Sequence, residues 1–435
     1  MVDFAKCVED CGLIELPHHG SEEIETIEKK SEEVESPNDI VKRVDQNREM
    51  LKKAQKLLQE QHLNLEIQKM ERDSSAQFKH ISHLAEMYLQ QQSKVTWLKL
   101  GDDNTRYFFS EIKHRRLKLA TTQLKDESGQ WQTDQANIAQ IFLNYYKKLL
   151  GEKTTSKIQA QRVVLQNGNV LGINHQMKLI EPFTEVDVKQ AMFKIDNTKS
   201  PGPDGYGSGF FKEAWETVGG DITEAVLEFF QNGHLLKQVN ATNIVLIPKV
   251  EAPEQIDLKK AYDMVSWEFL EEALQGYGFP QKIIRWIMIC VSTPKYTIKI
   301  NGEGYGYFEG KRGLRQGDPV SPLLFVLVME YLSMLLKSMS YLPDFKFHPM
   351  CKDIRLNHLV FADDLMIFCK GDIKSTARVM EALLHFSATT GIVANMEKSS
   401  LFLAGVTDNM QEQLLAITGF TQGVFPIRYL GLPLT

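Results

Sequence analysis

This sequence of 435 residues has few cysteines and lacks the features of a secreted or membrane-spanning protein. Its five cysteines form no Cys-x-x-Cys pair and are too sparse for a disulfide framework, which favours a reducing compartment. No apolar run approaches the ~18 residues that suggest a membrane span, and the N-terminus lacks the charged and then apolar pattern of a secretory signal. We therefore expect an intracellular protein with no membrane partner.

The chain also lacks an excess of positive charge, since its formal net charge is −6. The N-terminal region accounts for this, because residues 1–20 carry −3 and residues 21–36 carry −5. Residues 37–435 therefore carry +2, which permits nucleic-acid binding without arguing for it. The richest basic patch, at residues 113–118, is either a phosphate contact or a solvated helix face, and we favour the second interpretation.

Two adjacent carboxylates, Asp363 and Asp364, stand in the middle of an apolar stretch at residues 358–368. The flanks are short, apolar and aromatic, which predicts two strands with residues 362–364 at or near the turn. Acids on a tight hairpin between buried strands suggest a hard divalent cation such as Mg²⁺, and hence phosphoryl transfer. The alternative is an ordinary hairpin tip, because aspartate is common in turns.

Two further blocks lie upstream. A loop rich in Gly and Pro begins at Gly313 and runs directly into an apolar segment of helix length, residues 323–336. Asp257 precedes a helical pattern and supplies a third carboxylate. Taken alone, Asp257 fits a helix N-cap, and residues 317–319, Gly-Asp-Pro, fit a simple turn.

Together and in this order, the three blocks resemble the palm motifs of reverse transcriptases from plant non-LTR (LINE-type) retrotransposons. The resemblance covers most of residues 95–435 and continues through six more blocks, at residues 97–109, 199–205, 210–212, 247–249, 391–399 and 428–433. It implies an α+β fold, namely a reverse-transcriptase palm with partial fingers and an N-terminal helical extension. It also implies an RNA-directed DNA polymerase that uses an RNA template, a DNA primer, deoxynucleoside triphosphates and two Mg²⁺ ions. A nuclear location follows from the resemblance alone.

The resemblance also implies a catalytic set. Asp257 and Asp363 would bind the metals, and Asp364 would support the second acid through charge and hydrogen bonding. Two metals about 3.5–4 Å apart can stabilise both the attacking and the leaving oxygen of nucleotide transfer. Tyr262 matches the position beneath the incoming sugar, where its ring disfavours a 2′ hydroxyl, and the alternative is a core tyrosine at a helix start.

Four more residues match substrate-binding positions of the family. Arg315, Gln316 and Gly317 match the loop that lines the nucleotide and the template base, where a glycine lets the backbone approach the substrate. Lys398 lies in the family's next palm block, where it would assist the departure of pyrophosphate. A solvated lysine is an equally good interpretation of Lys398.

Six segments are expected along the chain: 1–20 a remnant of the endonuclease domain, 21–95 an acidic and then amphipathic helical linker, 96–180 an N-terminal extension of the polymerase, 181–250 partial fingers, 251–415 the palm with the catalytic acids, and 416–435 the start of a truncated thumb. Twenty residues cannot bury a core, so we expect no endonuclease activity. Residues 38–94 predict a long amphipathic helix or a helical hairpin, which pairs with a partner or, as we favour, packs on the chain itself. Residues 181–249 are expected to be mostly helical, apart from a turn at 201–205.

The sequence departs from the family between Lys249 and Asp257, where seven residues replace a long basic segment of the fingers. Residues 250–256 contain no Lys or Arg, so the side chains expected to neutralise a triphosphate have no counterpart there. Pro253 cannot donate to a sheet ladder, which suits a loop better than a strand carrying Asp257. A displacement of about 1 Å among catalytic groups can lower the reaction rate about a hundredfold. We therefore expect an internally deleted and truncated copy that is weakly active or inactive.

Two other functions stay open. A non-catalytic nucleic-acid-binding or interaction remnant would bind RNA in a salt-sensitive manner that does not depend on Asp363. A metal-dependent nuclease would use the same acids, although no suitable His or Glu lies near them in the sequence.

Overall fold

The computed structural model describes residues 37–62, 64–93, 105–126, 128–153, 158–197, 199, 207–237, 239–246, 261–361, 364–396, 399–429 and 432–434. These residues fall into two compact units. The first contains residues 37–121 and 190–222, and the second contains residues 122–189, 223–246 and 261 onwards.

Fifteen α-helices are found in the described ranges. In chain order they are α1 Pro37–Glu60, α2 Leu65–Ser93, α3 Thr105–Leu119, α4 Gln135–Leu150, α5 Arg162–Gln166, α6 Ile173–Leu179, α7 Glu185–Lys194, α8 Ser208–Glu213, α9 Trp215–Asn232, α10 Ala261–Met264, α11 Trp267–Gly276, α12 Gln281–Ser292, α13 Ser321–Met339, α14 Ile373–Thr390 and α15 Asp408–Thr418. A 3₁₀ turn spans Pro349–Cys351.

The described strands are short. They are β1 Leu124–Lys125, β2 Trp131–Gln132, β3 Ala241–Val245, β4 Lys295–Ile300, β5 Glu303–Glu309, β6 His358–Phe361, β7 Asp364–Ile367, β8 Ser400–Leu401, β9 Thr421–Gln422, β10 Ile427–Tyr429 and β11 Leu432–Leu434. β3, β4 and β5 form a three-stranded sheet in that order, and the other strands form two-stranded pairs. The chain is therefore a mixed structure of many helices and small sheets, in agreement with the expected α+β class.

In the first unit, α1 and α2 pack against each other as a helical hairpin. The two helices are joined by a short turn, in which the Asn64 side chain accepts a hydrogen bond from the backbone of Glu66 and caps the start of α2. Ala54 is buried at the helix contact, whereas Leu57 on the next turn is 40% exposed. Of the two alternatives expected for residues 38–94, a long helix or a helical hairpin, the structure has the hairpin.

In the second unit, the main core forms around α11. Phe269, Leu270, Ala273 and Leu274 have no solvent-exposed surface, and their spacing places them on one face of the helix. Ser266 caps this helix, because its hydroxyl accepts a hydrogen bond from the Phe269 backbone at 3.3 Å. Buried side chains of α13 and α14 complete the same core.

α13 extends the helix that the apolar segment predicted at residues 323–336. By length and composition this helix could span a membrane. From the sequence, no apolar segment of that length was expected. Its core-facing side chains explain the composition, because Phe325, Val328, Tyr331 and Leu336 are each 2% exposed or less. The core helix of a soluble protein passes the same test, so this helix is weak grounds for a membrane span.

The three-stranded sheet packs on α4. β4 pairs in parallel with β3 and antiparallel with β5. Every second residue of β4 is buried, namely Tyr296, Ile298 and Ile300, and these side chains form a second core with α4. The expectation that residues 181–249 are mostly helical was therefore incomplete, because β3 lies within them.

An ion pair between Asp344 and Arg378 predicts a pH-dependent contribution to stability. Arg378 Nε and Nη2 donate to Asp344 Oδ2 at 3.0 and 2.8 Å, and these hydrogen bonds hold the pKa of Asp344 below its ordinary value of 3.8. A lowered folded-state pKa stabilises the fold above the unfolded-state value, and this stabilisation disappears as the pH falls through the folded-state value. Arg378→Gln should therefore lower the urea midpoint slightly at pH 7, and the difference should vanish well below pH 3.8. Lys352→Gln, at an exposed position on the nearby loop, is the control and should change neither midpoint.

Candidate active site

The hairpin of β6 and β7 carries the paired carboxylates of the sequence. Phe361 pairs with Asp364, so only residues 362 and 363 lie between the two strands, as the apolar flanks predicted. The expectation that the strands are buried is wrong for β6, since Leu359 is 40% and Phe361 is 60% exposed. The side chain of Asp364 is exposed at the start of β7.

The hairpin lies on the main core of the second unit. Leu365 and Ile367 of β7 pack against the buried cluster that includes Phe269 of α11 and Val328 of α13. The core that positions α11 and α13 therefore also positions the strand that begins with Asp364.

The loop at residues 313–317 is hydrogen-bonded to the segment that leads into α11. The Leu314 N–H donates to the carbonyl oxygen of Tyr262, and the Gly313 N–H donates to that of Val265, both at 2.8 Å. The indole Nε1 of Trp267 donates in turn to the Gly313 carbonyl oxygen at 2.7 Å. Two sequence blocks about fifty residues apart are thus joined by three hydrogen bonds.

Gly313 permits this close approach. Its φ is +91°, and a Cβ atom at this position would lie 2.9 Å from the backbone oxygen of Asp263. A side chain is excluded both by the backbone conformation and by the neighbouring backbone. The position therefore requires glycine if the loop is to lie against residues 262–265.

Tyr262 contacts the start of α13 through its ring. The rings of Tyr262 and Phe325 are stacked, with centroids 4.3 Å apart and an interplanar angle of 14°. Phe325 is buried, whereas Tyr262 is partly exposed. A buried ring thus supports one face of Tyr262, which restricts the orientation of this side chain.

Arg315 is held by its own loop. Its Nη2 donates to Asp318 Oδ2 at 2.8 Å, and its Nη1 lies 3.5 Å from the hydroxyl of Thr242 on β3. Both members of the ion pair are about one-fifth exposed. The turn interpretation of Asp318 also holds, because its Oδ1 accepts a hydrogen bond from the backbone of Val320.

The charges of this loop act on neighbouring side chains. Burial raises the pKa of Tyr296 to about 12, against the opposing effect of the positive charge on Arg315. The negative charges of Asp263 and Asp318 also raise it. Burial raises the pKa of Cys290 as well, so this thiol is protonated at neutral pH.

The structure thus brings together part of the proposed set. Tyr262 and Arg315 lie in segments joined by backbone hydrogen bonds, and Gly317 has a φ of +90° with open space where a Cβ would lie. Gln316 is exposed on the same loop. Three proposed residues lie outside the described ranges: Asp257, Asp363 and Lys398.

Of the three proposed carboxylates, Asp364 is the one that lies within the described residues. Asp364 offers exposed carboxylate oxygens, which are the ligand type that Mg²⁺ prefers. Within the part of the chain that the structure describes, no group of three or more His, Cys, Asp or Glu side chains could hold a metal ion. Because both proposed metal ligands lie outside that part, the ligand set stays a prediction.

Sequence reasoning missed several residues that shape the site. It treated Asp318 only as a turn residue, although the three-residue spacing from Arg315 is compatible with an ion pair. No signal in the sequence placed Thr242 near Arg315, or Phe325 beneath Tyr262, since these contacts join segments far apart in the chain.

Comparison with known proteins supports the interpretation of the motifs. The family described as reverse transcriptase (RNA-dependent DNA polymerase) matches residues 222–434. The chain is 23% identical over 389 residues to the transposon TX1 uncharacterized 149 kDa protein of Xenopus laevis. The aligned region covers 72% of this chain and 29% of that protein.

Two retrotransposon proteins match a shorter region. The chain is 29% identical over 143 residues to the retrovirus-related Pol polyprotein from type-1 retrotransposable element R2 of Popillia japonica, covering 33% of this chain and 23% of that protein. It is 28% identical over 145 residues to the corresponding polyprotein from type-2 retrotransposable element R2DM of Drosophila melanogaster, covering 33% and 13%. The chain spans less than a third of the length of each of these three relatives. The resemblance of the motifs to reverse transcriptases of non-LTR retrotransposons is confirmed, and the chain carries a reverse transcriptase domain at residues 222–434.

Proposed function

We propose that this chain is an RNA-directed DNA polymerase that extends a DNA primer on an RNA template from deoxynucleoside triphosphates. The observation that carries the proposal is the set of hydrogen bonds between residues 262–267 and the loop at residues 313–314. Those bonds join the segment that follows Asp257 to the loop proposed to line the nucleotide. The hairpin of β6 and β7 lies on the same core and brings Asp364 to an exposed position.

The proposed catalytic residues are Asp257, Asp363 and Asp364. Asp257 and Asp363 would hold two Mg²⁺ ions, which when bound stabilise the attacking and leaving oxygens of nucleotide transfer. Asp364 supports the neighbouring acid through its charge, since a nearby like charge raises the affinity of a carboxylate pair for cations. Lys398 is proposed to assist the departure of pyrophosphate.

The loop residues are proposed to bind substrate. Arg315 is the cation of the loop at residues 313–317, and its ion pair with Asp318 holds the guanidinium in one orientation. A held guanidinium loses less side-chain entropy on contact with a phosphate than a free one does. Gln316 and Gly317 present exposed groups beside it.

In domain terms, we propose a palm at residues 251–415 with partial fingers at 181–250. An N-terminal extension would precede them at 96–180, and the start of a thumb would follow at 416–435. The acidic and helical linker at 21–95 includes the described hairpin of α1 and α2, and residues 1–20 are proposed to derive from an endonuclease domain.

We propose that synthesis by this chain is weak; its complete absence would favour a function without catalysis. Residues 250–256 replace the basic part of the fingers and contain no Lys or Arg. Fewer cations are then left to neutralise the triphosphate, and each missing phosphate contact lowers affinity for nucleotide.

A second candidate function is nucleic-acid binding without catalysis, and a lysine-lined groove in the second unit favours it. The groove has a volume of about 630 Å³ and lies between the end of α4 and β5. Three of its lining residues are lysines, Lys147, Lys148 and Lys311, and two are the acids Glu152 and Glu309. A net positive groove is suited to a phosphate backbone, and such binding weakens steeply as salt is raised.

Primer extension with an Asp363→Asn variant distinguishes the two functions. The full chain, Mg²⁺, an RNA template and a labelled DNA primer are mixed with deoxynucleoside triphosphates, and single-nucleotide extension is measured. We expect slow extension by the parent and a loss of at least about a hundredfold in the variant, because the substitution removes a charge from a metal-binding constellation. Asp353→Asn, which alters an exposed acid on a loop, is the matched control and should extend as the parent does.

The same proteins are then tested for RNA binding between low and high salt. Equal, salt-sensitive binding by parent and Asp363→Asn, with no extension by either, would support the non-catalytic function and contradict the polymerase proposal. Cleavage of RNA or DNA in the absence of nucleotides, lost in Asp363→Asn, would instead indicate the nuclease.

A further inference from the structure

The hairpin of β6 and β7 has little apparent support on its β6 side. The two strands form a separate two-stranded sheet, and an isolated pair of strands is marginally stable in water. Along β6, His358 and Val360 are half-buried, whereas Leu359 and Phe361 alternate with them and are exposed. The inner face of β6 therefore offers one apolar side chain and one imidazole for anchoring.

Asn357 fixes the base of the hairpin from a buried position. Its side chain Nδ2 donates to the Leu336 carbonyl oxygen of α13 at 2.7 Å, and its backbone oxygen accepts from the Phe368 N–H at 2.8 Å. The residue is 5% exposed. The amide cannot be turned over, because its Oδ1 would then face the Leu336 carbonyl oxygen, and two acceptors do not form a hydrogen bond. The Oδ1 atom is thereby directed away from Leu336.

That oxygen determines the protonation of His358. Oδ1 of Asn357 lies 2.6 Å from His358 Nδ1, and since an amide oxygen can only accept, Nδ1 must carry the hydrogen. On the other side of the ring, Nε2 lies 2.5 Å from the hydroxyl oxygen of Ser333 on α13. In a neutral imidazole with hydrogen on Nδ1, Nε2 accepts from the Ser333 hydroxyl. Burial lowers the pKa of His358, which favours the neutral ring.

We propose that Ser333, His358 and Asn357 form a positioning network that fixes His358 as the neutral tautomer protonated on Nδ1 and so holds the hairpin against α13. Each hydrogen bond of the network then has one donor and one acceptor: the Ser333 hydroxyl donates, His358 accepts and donates, and Asn357 accepts and donates. Two of the contacts end on α13, at Ser333 and at Leu336, which are three residues apart on one face of that helix.

The catalytic consequence rests on the proposed polymerase function. From His358 the strand runs three residues to Phe361, about 10 Å at the rise of a β-strand, and Asp363 and Asp364 follow. A rotation of the hairpin about its base moves these acids together. Because a displacement of about 1 Å can cost about a hundredfold in rate, a network at the base controls the position of groups that it does not touch. His358 is thus a positioning residue for the acids.

The tautomer is measured directly by NMR. The full chain is labelled with ¹⁵N in histidine only, and the His358→Asn variant identifies the signals that belong to His358. At pH 7 we expect a protonated Nδ1 and an unprotonated Nε2 for His358. Hydrogen on Nε2, or rapid averaging between the two nitrogens, would overturn the network.

Hydrogen exchange of the segment 357–368 tests whether the network holds the hairpin. Ser333→Ala leaves Nε2 of His358 without a donor and should accelerate exchange in this segment about 5- to 10-fold, as for the loss of one net hydrogen bond. Ser333→Thr keeps the hydroxyl and should exchange as the parent does. Ser338→Ala, at another half-buried serine of α13, is the matched control and should leave the segment unchanged. Equal exchange in Ser333→Ala and the parent would overturn the proposal.

Primer extension then separates this proposal from the polymerase proposal. Ser333→Ala should lower kcat with an unchanged KM for the nucleotide, and Ser333→Thr should restore kcat. If the parent extends no primer, the polymerase proposal is wrong. The tautomer of His358 and the exchange rates still show whether the network forms and holds the hairpin. If exchange accelerates in Ser333→Ala but kcat is unchanged, the catalytic consequence of the network is wrong.

Discussion

A Gly313→Ala variant is expected to lose about 3 kcal/mol or more of its free energy of unfolding and to lose any primer-extension activity with it. The φ of +91° at this position costs an alanine about 1–2 kcal/mol. The added Cβ would also lie 2.9 Å from the Asp263 backbone oxygen, and overpacking of this kind typically costs about 1–3 kcal/mol. Relief of the contact requires the loop to move away from residues 262–265, which breaks the hydrogen bonds that carry the proposed function.

Gly317→Ala is the matched control for that variant. Gly317 has nearly the same φ, +90°, but a Cβ there would meet no atom within 4 Å. It should therefore lose only the conformational part, about 1–2 kcal/mol. Urea unfolding measures both variants, and the indole N–H signal of Trp267 reports whether its hydrogen bond to the Gly313 carbonyl survives. Equal destabilisation of the two variants would show that the close approach at Gly313 contributes nothing.

The parts of the fold that the sequence could predict are those set by local pattern. The apolar segment at residues 323–336 predicted α13, and the short apolar flanks of Asp363 and Asp364 predicted two strands with the turn at or near residues 362–364. The hairpin of α1 and α2 followed from the apolar spacing at residues 51–58 together with good helix-forming residues. Each of these depends on residues within about one helical turn or one strand of each other.

The parts that could not be predicted depend on partners distant in the chain. β3 is five residues long and gains its pairing from β4, about fifty residues later, a partner that the local pattern does not identify. The exposure of Phe361 was missed for a related reason. Apolar residues on both faces of a strand indicate burial on both faces, but only the face with Val360 packs inward here.

The candidate site also has features that the sequence predicts and features that depend on residues distant in the chain. Family motifs supplied the identities of Tyr262 and Arg315, but the motifs do not say what each side chain contacts. The structure adds that Arg315 is already paired with Asp318, and that His358 is bonded on both ring nitrogens. A residue's role by motif and its hydrogen-bond partners are thus separate questions, and the sequence offers a prediction only for the first.

The stack of Tyr262 on Phe325 gives the second large prediction, which concerns the choice between ribonucleotides and deoxyribonucleotides. Phe325 is buried and supports one face of the Tyr262 ring, with the ring centroids 4.3 Å apart. A ring supported in this way cannot tilt freely, so it can exclude a 2′ hydroxyl by contact. A core tyrosine with no role at the sugar would show the same stack, and the two interpretations differ only in their effect on selectivity.

Tyr262→Ala should raise the ratio of ribonucleotide to deoxyribonucleotide incorporation on the order of 100-fold, the scale on which a pocket discriminates one added hydroxyl. Tyr262→Phe keeps the ring and should keep the parent's ratio, whereas Phe325→Leu removes the support and should give an intermediate ratio. The measurement is primer extension with single ribonucleotides and deoxyribonucleotides, and because the ratio compares two substrates on one protein, it does not require high activity. If Tyr262→Ala unfolds more easily but keeps the parent's ratio, Tyr262 is a core tyrosine. The selectivity of this domain then arises elsewhere.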